Sequence, residues 1–196
     1  MTDSNPFTRS ATVLLILLVA LPQSVKGQET HVYNFADIEG NEIAWSCEGT
    51  GSPTIALIEG SGLTAHDSFG RTYHNYHGPG RICMYDRAGI GKSTFPQAKD
   101  RTLAELANEL HELSVGQRWG PLIIVAHSFG GFVARAYAAQ YPDETLGILF
   151  LDAIQEDWLP RLKAEITPAD WGIMDNTVSW TLRTFHEDVY QAQEAV

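Results

Sequence analysis

One serine stands where a hydroxyl can be turned into a nucleophile. The run Leu122-Ile123-Ile124-Val125-Ala126-His127-Ser128-Phe129-Gly130-Gly131 passes from an unbroken apolar stretch directly into a serine with small neighbours. The apolar stretch reads as a buried strand and the residues after Ser128 as a helix. A sharp strand-to-helix turn forces unusual backbone angles on the serine, and bulky side chains two positions before or after it would collide, which accounts for Ala126 and Gly130. At the first turn of a helix the Phe129 N–H lacks an intrahelical acceptor and sits at the positive end of the dipole, so it can donate to an oxyanion. The chemistry on offer is attack on an acyl carbon. The competing reading is a glycine-rich turn in which the serine is incidental.

Other chemistry-bearing residues point elsewhere less strongly. His66, His74 and His77 share a glycine-rich stretch with no acidic or cysteine partner at ligand spacing, which predicts a surface loop. Cys47 and Cys83 are too few for a zinc site. Neither a metal nor a cofactor is expected. Gly91-Lys92-Ser93 ends like a phosphate-binding P-loop, but its opening glycine would have to be Asp86, which repels phosphate. Gly60-x-Gly62-x-x-Ala65, with Asp86 about twenty residues on, matches the spacing of a dinucleotide fingerprint. That reading needs an amphipathic helix directly after the loop, whereas residues 66–80 hold Gly70, Gly78, Pro79 and Gly80 and show no clean helical stripe.

Three separated segments together resemble the α/β-hydrolase family. The Ala126-His127-Ser128-Phe129-Gly130 turn resembles its G-x-S-x-G elbow, with alanine for the first glycine. Glu59-Gly60-Ser61-Gly62 follows an apolar run where the family usually carries His-Gly. Asp86-Arg87-Ala88-Gly89-Ile90-Gly91-Lys92-Ser93 looks like the family's D-R-x-G-x-G-x-S loop. The resemblance covers about residues 31–155. It implies an α/β fold of the hydrolase type: a doubly wound, mostly parallel sheet with helices on both faces, its last strands missing from this chain. It also implies Ser128 as nucleophile, with the N–H groups of Phe129 and Ser61 as oxyanion donors and Gly62 as the fallback for Ser61. In the family's sheet the strand ending near Cys47 lies beside the one containing Cys83, which implies a disulfide; two buried thiols are the alternative.

The positioning elements follow from pattern. Ser46 to Pro53 is a turn signal between apolar stretches 41–47 and 54–58 and predicts a hairpin. Residues 81–85 read as a strand. Leu103, Leu106, Ala107, Leu110 and Leu113 make one face of a helix over 103–115, leaving Glu105, Asn108, Glu109 and Glu112 on the wet side. Gly131, Ala134 and Ala138 keep the helix after Ser128 slim until Pro142 ends it. Residues 145–151 read as the next parallel strand, closing on Asp152. Residues 158–166 and 168–196 look helical, the second opening on Thr167-Pro168, with Val178, Leu182, Phe185 and Val189 as its stripe. In the family, helices at this point cap the active site. Trp158, Trp171 and Trp180 fit an aromatic cap or ordinary core packing equally well.

Hydrophobic residues make up 44% of the 196-residue chain and charged residues 19%, the balance of one globular domain. Arg9 precedes the apolar run Ala11 to Leu21, too short to span a bilayer, and a polar stretch ends at Gly27. This layout predicts a signal peptide over 1–27, a core over 28–152, a helical cap segment over 153–196, and a secreted protein. Loss of Asp3, Arg9 and Lys26 would shift the net charge from −11 to −12. Such acidity argues against nucleic acid as a partner, and no membrane insertion is expected after cleavage. The expected partner is a small acyl substrate, with self-association through an exposed sheet edge.

A serine nucleophile needs a base, which the resemblance places on a histidine after the last strand, oriented by an acid. His186, the histidine downstream of Ser128, lies among acids on a helical stretch and reads as a solvated residue. Asp152 occupies a position where some family members keep the acid, a structural aspartate being the competing reading. The sequence thus leaves three readings: a serine hydrolase of an ester or related acyl bond, a truncated and inactive hydrolase, and a binding protein that keeps the pocket without the chemistry.

Overall fold

The computed structural model describes residues 31–95, 101–155 and 157–173, and the elements below lie in the unit Val32–Val196. The expected leader, the helical stretch beyond residue 173 with Trp180, and His186 lie outside the described residues.

Six strands form one sheet in the order β1-β2-β4-β3-β5-β6. Strand β1 (Asn34–Ile38) pairs antiparallel with β2 (Asn41–Gly49), and β2 antiparallel with β4 (Arg81–Tyr85). From there β4, β3 (Thr54–Ile58), β5 (Leu122–His127) and β6 (Thr145–Leu151) run parallel. Side chains alternate across a strand, so each central strand feeds two layers. Ala56, Ile58, Cys83 and Tyr85 join the larger apolar cluster with Leu106, Leu110 and Leu113 of α2 (Leu103–Gly116) and Phe132, Val133 and Tyr137 of α3 (Gly130–Gln140). Leu57, Ile82 and Met84 turn the other way, onto Ala65, Phe69 and Tyr73 of α1 (Ala65–His74). Helices therefore cover both faces, the α/β arrangement expected. Among the described residues β6 is an edge of the sheet, with Leu146, Leu149, Phe150 and Leu151 exposed. Beyond it, α4 (Trp158–Glu165) occupies the first stretch read as helical. Residues 168–173 are helical too, with the Asp170 N–H donating to Thr167 Oγ1 at 3.2 Å.

Three expectations are corrected. Strands β2 and β3 do not form a hairpin, because β4 lies between them; β2 instead turns back onto β1 through Glu39 and Gly40, both at positive φ (52° and 82°). Two left-handed residues in succession match the twist of a hairpin, and the Gly40 N–H closes the turn on Asp37 Oδ1 at 2.9 Å. The segment 66–80 is not a loop, since its first part is α1. Thr64 caps that helix by accepting the Asp67 N–H at 2.9 Å, and Ala65, Phe69 and Tyr73 carry its apolar stripe. Of the glycines and proline counted against a helix, Gly78, Pro79 and Gly80 follow its end. His66 and His74 accordingly sit on a helix, with His74 Nδ1 2.9 Å from Glu48 Oε1.

The third correction concerns Glu109, which is buried and paired with Arg101 at 2.7 Å. Arg101 also donates to the Ala88 carbonyl at 2.7 Å, and the Ala88 N–H points at the Glu109 carboxylate at 3.3 Å. Removing one partner of a buried pair strands the other. Glu109→Ala is expected to cost about 3–5 kcal/mol, whereas Glu112→Ala, at an exposed position of the same helix, should stay within about 0.5 kcal/mol; urea unfolding of the two variants measures the difference.

Candidate active site

Ser128 sits between the end of β5 and the start of α3 with φ 51°, in the left-handed region. A non-glycine residue there is uncommon and holds only where its surroundings fix it. They do so from several sides. The Ser128 N–H donates to the Leu151 carbonyl at 3.3 Å, while its own carbonyl accepts from Gly131 at 3.0 Å and Ile154 at 3.1 Å. The corner is also pressed against the chain leaving β3. A methyl group on Gly130 would lie 2.5 Å from the Ile58 carbonyl oxygen and 2.8 Å from that of Glu59, and one on Gly60 would lie 3.3 Å from Ser128 Cβ. Ala126, two residues before the serine, is fully buried. Ser128 itself remains partly exposed.

Phe129 opens α3 in helical conformation, and its N–H has no partner among the described residues. Its ring is buried, edge-on to Phe132 with centroids 6.0 Å apart. Facing this corner is the loop Glu59 to Gly62, in which Glu59 and Gly60 are buried and Ser61 is partly exposed. The corner therefore has two backbone segments beside one hydroxyl, an arrangement suited to a tetrahedral oxyanion.

The loop after β4 holds these pieces through three successive residues. Asp86 accepts the Ala65 N–H at 2.9 Å, anchoring the start of α1, and the Lys92 N–H at 3.0 Å. Burial pushes its carboxyl above the ordinary value of 3.8, and the Lys92 and Ala65 amides offset part of that rise. Gly91, at φ 55°, leaves room for this carboxylate, since a Cβ there would lie 2.1 Å from Asp86 Oδ2. Arg87 is fully buried and pairs with Glu59 Oε1 at 2.9 Å. It also donates to the Glu59 carbonyl at 2.8 Å and the Gly60 carbonyl at 3.1 Å, and its guanidinium lies 5.3 Å from the Phe129 ring centre. Ala88 is held by Arg101 and Glu109 as described. Nearby, Tyr33 is pushed up to about 12 by burial first and then by the charges of Asp86, Asp67 and Glu59, so it stays a neutral phenol at ordinary pH.

The structure thus brings Ser128, Phe129 and the Ser61 loop together. Asp152 lies in the segment Leu151 to Ile154 that brackets the Ser128 backbone; it is exposed and left-handed, with φ 47°. Cys47 and Cys83 face each other across β2 and β4 and form a disulfide with Cα atoms 4.1 Å apart. Sequence reasoning passed over the Glu59–Arg87 pair. Its signal was a glutamate one residue past the run 54–58 and an arginine two residues past the run 81–85, legible only once β3 and β4 are known to be parallel neighbours. It also passed over His127, whose Nδ1 would lie 3.2 Å from a Cβ at Gly60 and whose ring meets Phe69 edge-on at 6.5 Å.

Residues 80–196 match the alpha/beta hydrolase fold family, and the chain belongs to it. This membership, and not the lack of a helix after Gly62, sets aside the dinucleotide reading. An AB hydrolase superfamily protein of Gibberella zeae is 36% identical over 81 residues, 39% of this chain and 25% of that protein. Lipase LipV of Mycobacterium tuberculosis is 37% identical over 94 residues, 46% of this chain and 34% of the lipase. A solved structure from Acinetobacter baumannii, classed as a candidate lipase, superposes with TM-score 0.58 at 27% identity, covering 63% of this chain and 42% of that one. The chain spans about a quarter to two fifths of the length of the first curated relatives it matches.

The close approach at Gly130 yields a direct test of the corner. Gly130→Ala is expected to destabilise the fold by about 1–3 kcal/mol through overpacking against backbone oxygens. Gly116→Ala, in α2 with nothing within 4 Å of the new methyl, should be neutral or stabilising by up to about 1 kcal/mol. Thermal or urea unfolding of the pair reads the contrast.

Proposed function

We propose that this chain carries the nucleophile and oxyanion site of a serine hydrolase acting on an ester or related acyl bond. The observation that supports it most is Ser128 held left-handed and partly exposed at the strand-to-helix corner, against the loop bearing Ser61. In this reading Ser128 Oγ attacks the acyl carbon as a base takes its proton, and the carbonyl electrons move onto oxygen, held by the Phe129 and Ser61 N–H groups. The intermediate collapses as the ester C–O bond breaks and the leaving alkoxide takes up the proton. Water then attacks the acyl-enzyme by the same route and frees Ser128. Asp152 is the candidate acid that orients the base; His186, which reads as a solvated residue, is not assigned that role and lies outside the described residues. A small acyl ester as substrate agrees with the similarity to lipase LipV. The disulfide Cys47–Cys83 supports the reading that the protein works in an oxidising compartment after export.

A fluorophosphonate probe tests this reading, because it reacts when a serine has both a base and an oxyanion site. The folded chain is expected to be labelled at Ser128, and Ser128→Ala is expected to abolish the label. A folded wild-type chain that takes no label contradicts the reading, as does labelling that persists in Ser128→Ala.

A further inference from the structure

We infer that Arg87 is a positioning residue for the oxyanion site, fixing both segments that supply its donors; this rests on the reading of Ser128 as nucleophile. The guanidinium donates to three acceptors of one short segment: the carboxylate of Glu59 and the carbonyls of Glu59 and Gly60. In a trans peptide the carbonyl and the following N–H point in opposite directions. Holding the Gly60 carbonyl against Arg87 therefore turns the Ser61 N–H away from Arg87. The carbon of the same guanidinium lies over the Phe129 ring, 5.3 Å from its centre, a cation–π contact that ties down the residue whose N–H is the second donor. One buried cation thus sets the direction of one donor and anchors the residue bearing the other.

The charge arrangement explains why the residue is arginine. A buried cation needs a partner, and Glu59, one residue past β3, supplies it with its carboxylate while offering its carbonyl to the same group. Lysine would keep the charge, but its ammonium is a compact point charge without the planar fork that reaches these three separate acceptors while its carbon sits over the ring. Arg87 touches neither Ser128 nor the place of the reacting carbon in any contact described, so its part is geometric. Its loss should weaken only what the oxyanion site contributes.

The test compares two phosphonofluoridate probes that differ in one atom, P=O and P=S. In both, Ser128 Oγ bonds to phosphorus, the P–F bond breaks, fluoride departs and the serine proton passes to the base. Sulfur accepts hydrogen bonds poorly, so the ratio of the two labelling rates, each normalised to reaction with hydroxide in buffer, reports the oxyanion donors alone. The wild-type full chain is expected to favour P=O strongly. In Arg87→Lys, which keeps the charge opposite Glu59, the P=O rate is expected to fall about a hundredfold, with the P=S rate changing far less. The double variant Arg87→Met/Glu59→Gln, which removes both charges together, should show the same collapse of the ratio. Near-ultraviolet circular dichroism shows that each variant is folded. Equal loss of both rates, or an unchanged ratio in a folded variant, overturns the positioning role and leaves the serine reading intact. Failure of both probes on the wild-type chain overturns the serine reading itself.

Discussion

The arrangement depends on one close approach: the corner at Ser128 pressed against the backbone that leaves β3. A left-handed residue costs roughly 1–2 kcal/mol, so the neighbourhood must hold it. Here the hydrogen bonds to Leu151, Gly131 and Ile154 hold it from one side, and the Ile58–Gly60 backbone blocks the other. Two glycines make that approach possible, Gly130 on the helix and Gly60 on the loop. Parallel pairing of β3 with β5, in the register Ile58 opposite Ala126, brings the two strand ends level. The site is therefore a consequence of strand register as much as of the serine's own motif.

Around that contact the chain buries charge where apolar packing would be cheaper. Arg87 with Glu59 and Arg101 with Glu109 are both buried pairs, flanking the single residue Ala88. Such pairs seldom add net stability over a well-packed apolar pair. Their acceptors give them another use, because Arg87 reaches the Glu59 and Gly60 carbonyls and Arg101 the Ala88 carbonyl, in loops outside regular secondary structure. Asp86 does the complementary work on amides, linking the first residue of α1 to the turn at Lys92. Three consecutive side-chain and backbone anchors continue into the loop from the last backbone bond to β2, the Asp86 N–H to the Ala44 carbonyl at 2.9 Å.

Most of this architecture was legible in the sequence where period and punctuation agree. The runs 54–58, 81–85, 122–127 and 145–151 are short, apolar and bounded, and all are strands. The helix over α2 was legible from its stripe, while its start at Thr102, which makes a capping box with Glu105, went unread. What escaped was tertiary. β1 is short and half polar, and its turn uses Glu39 where asparagine or aspartate would have signalled the left-handed pair. The false hairpin arose because β4, which separates β2 from β3, comes later in the chain than both. Glu109 looked solvated because its spacing says nothing of Arg101, which reaches it from outside the helix. The Ser128 corner was legible from Ala126 and Gly130, yet the buried arginine beneath the loop was not, since a charged residue past a strand usually meets water.

The most direct measurement is a crystal structure of the chain after reaction with a fluorophosphonate. Phosphorus is expected to be bonded to Ser128 Oγ, with the phosphonyl oxygen within hydrogen-bond reach of the Ser61 and Phe129 amides and Ser128 still left-handed. A phosphonyl oxygen turned to solvent, away from both amides, would contradict it, as would a serine that relaxes to ordinary helical angles.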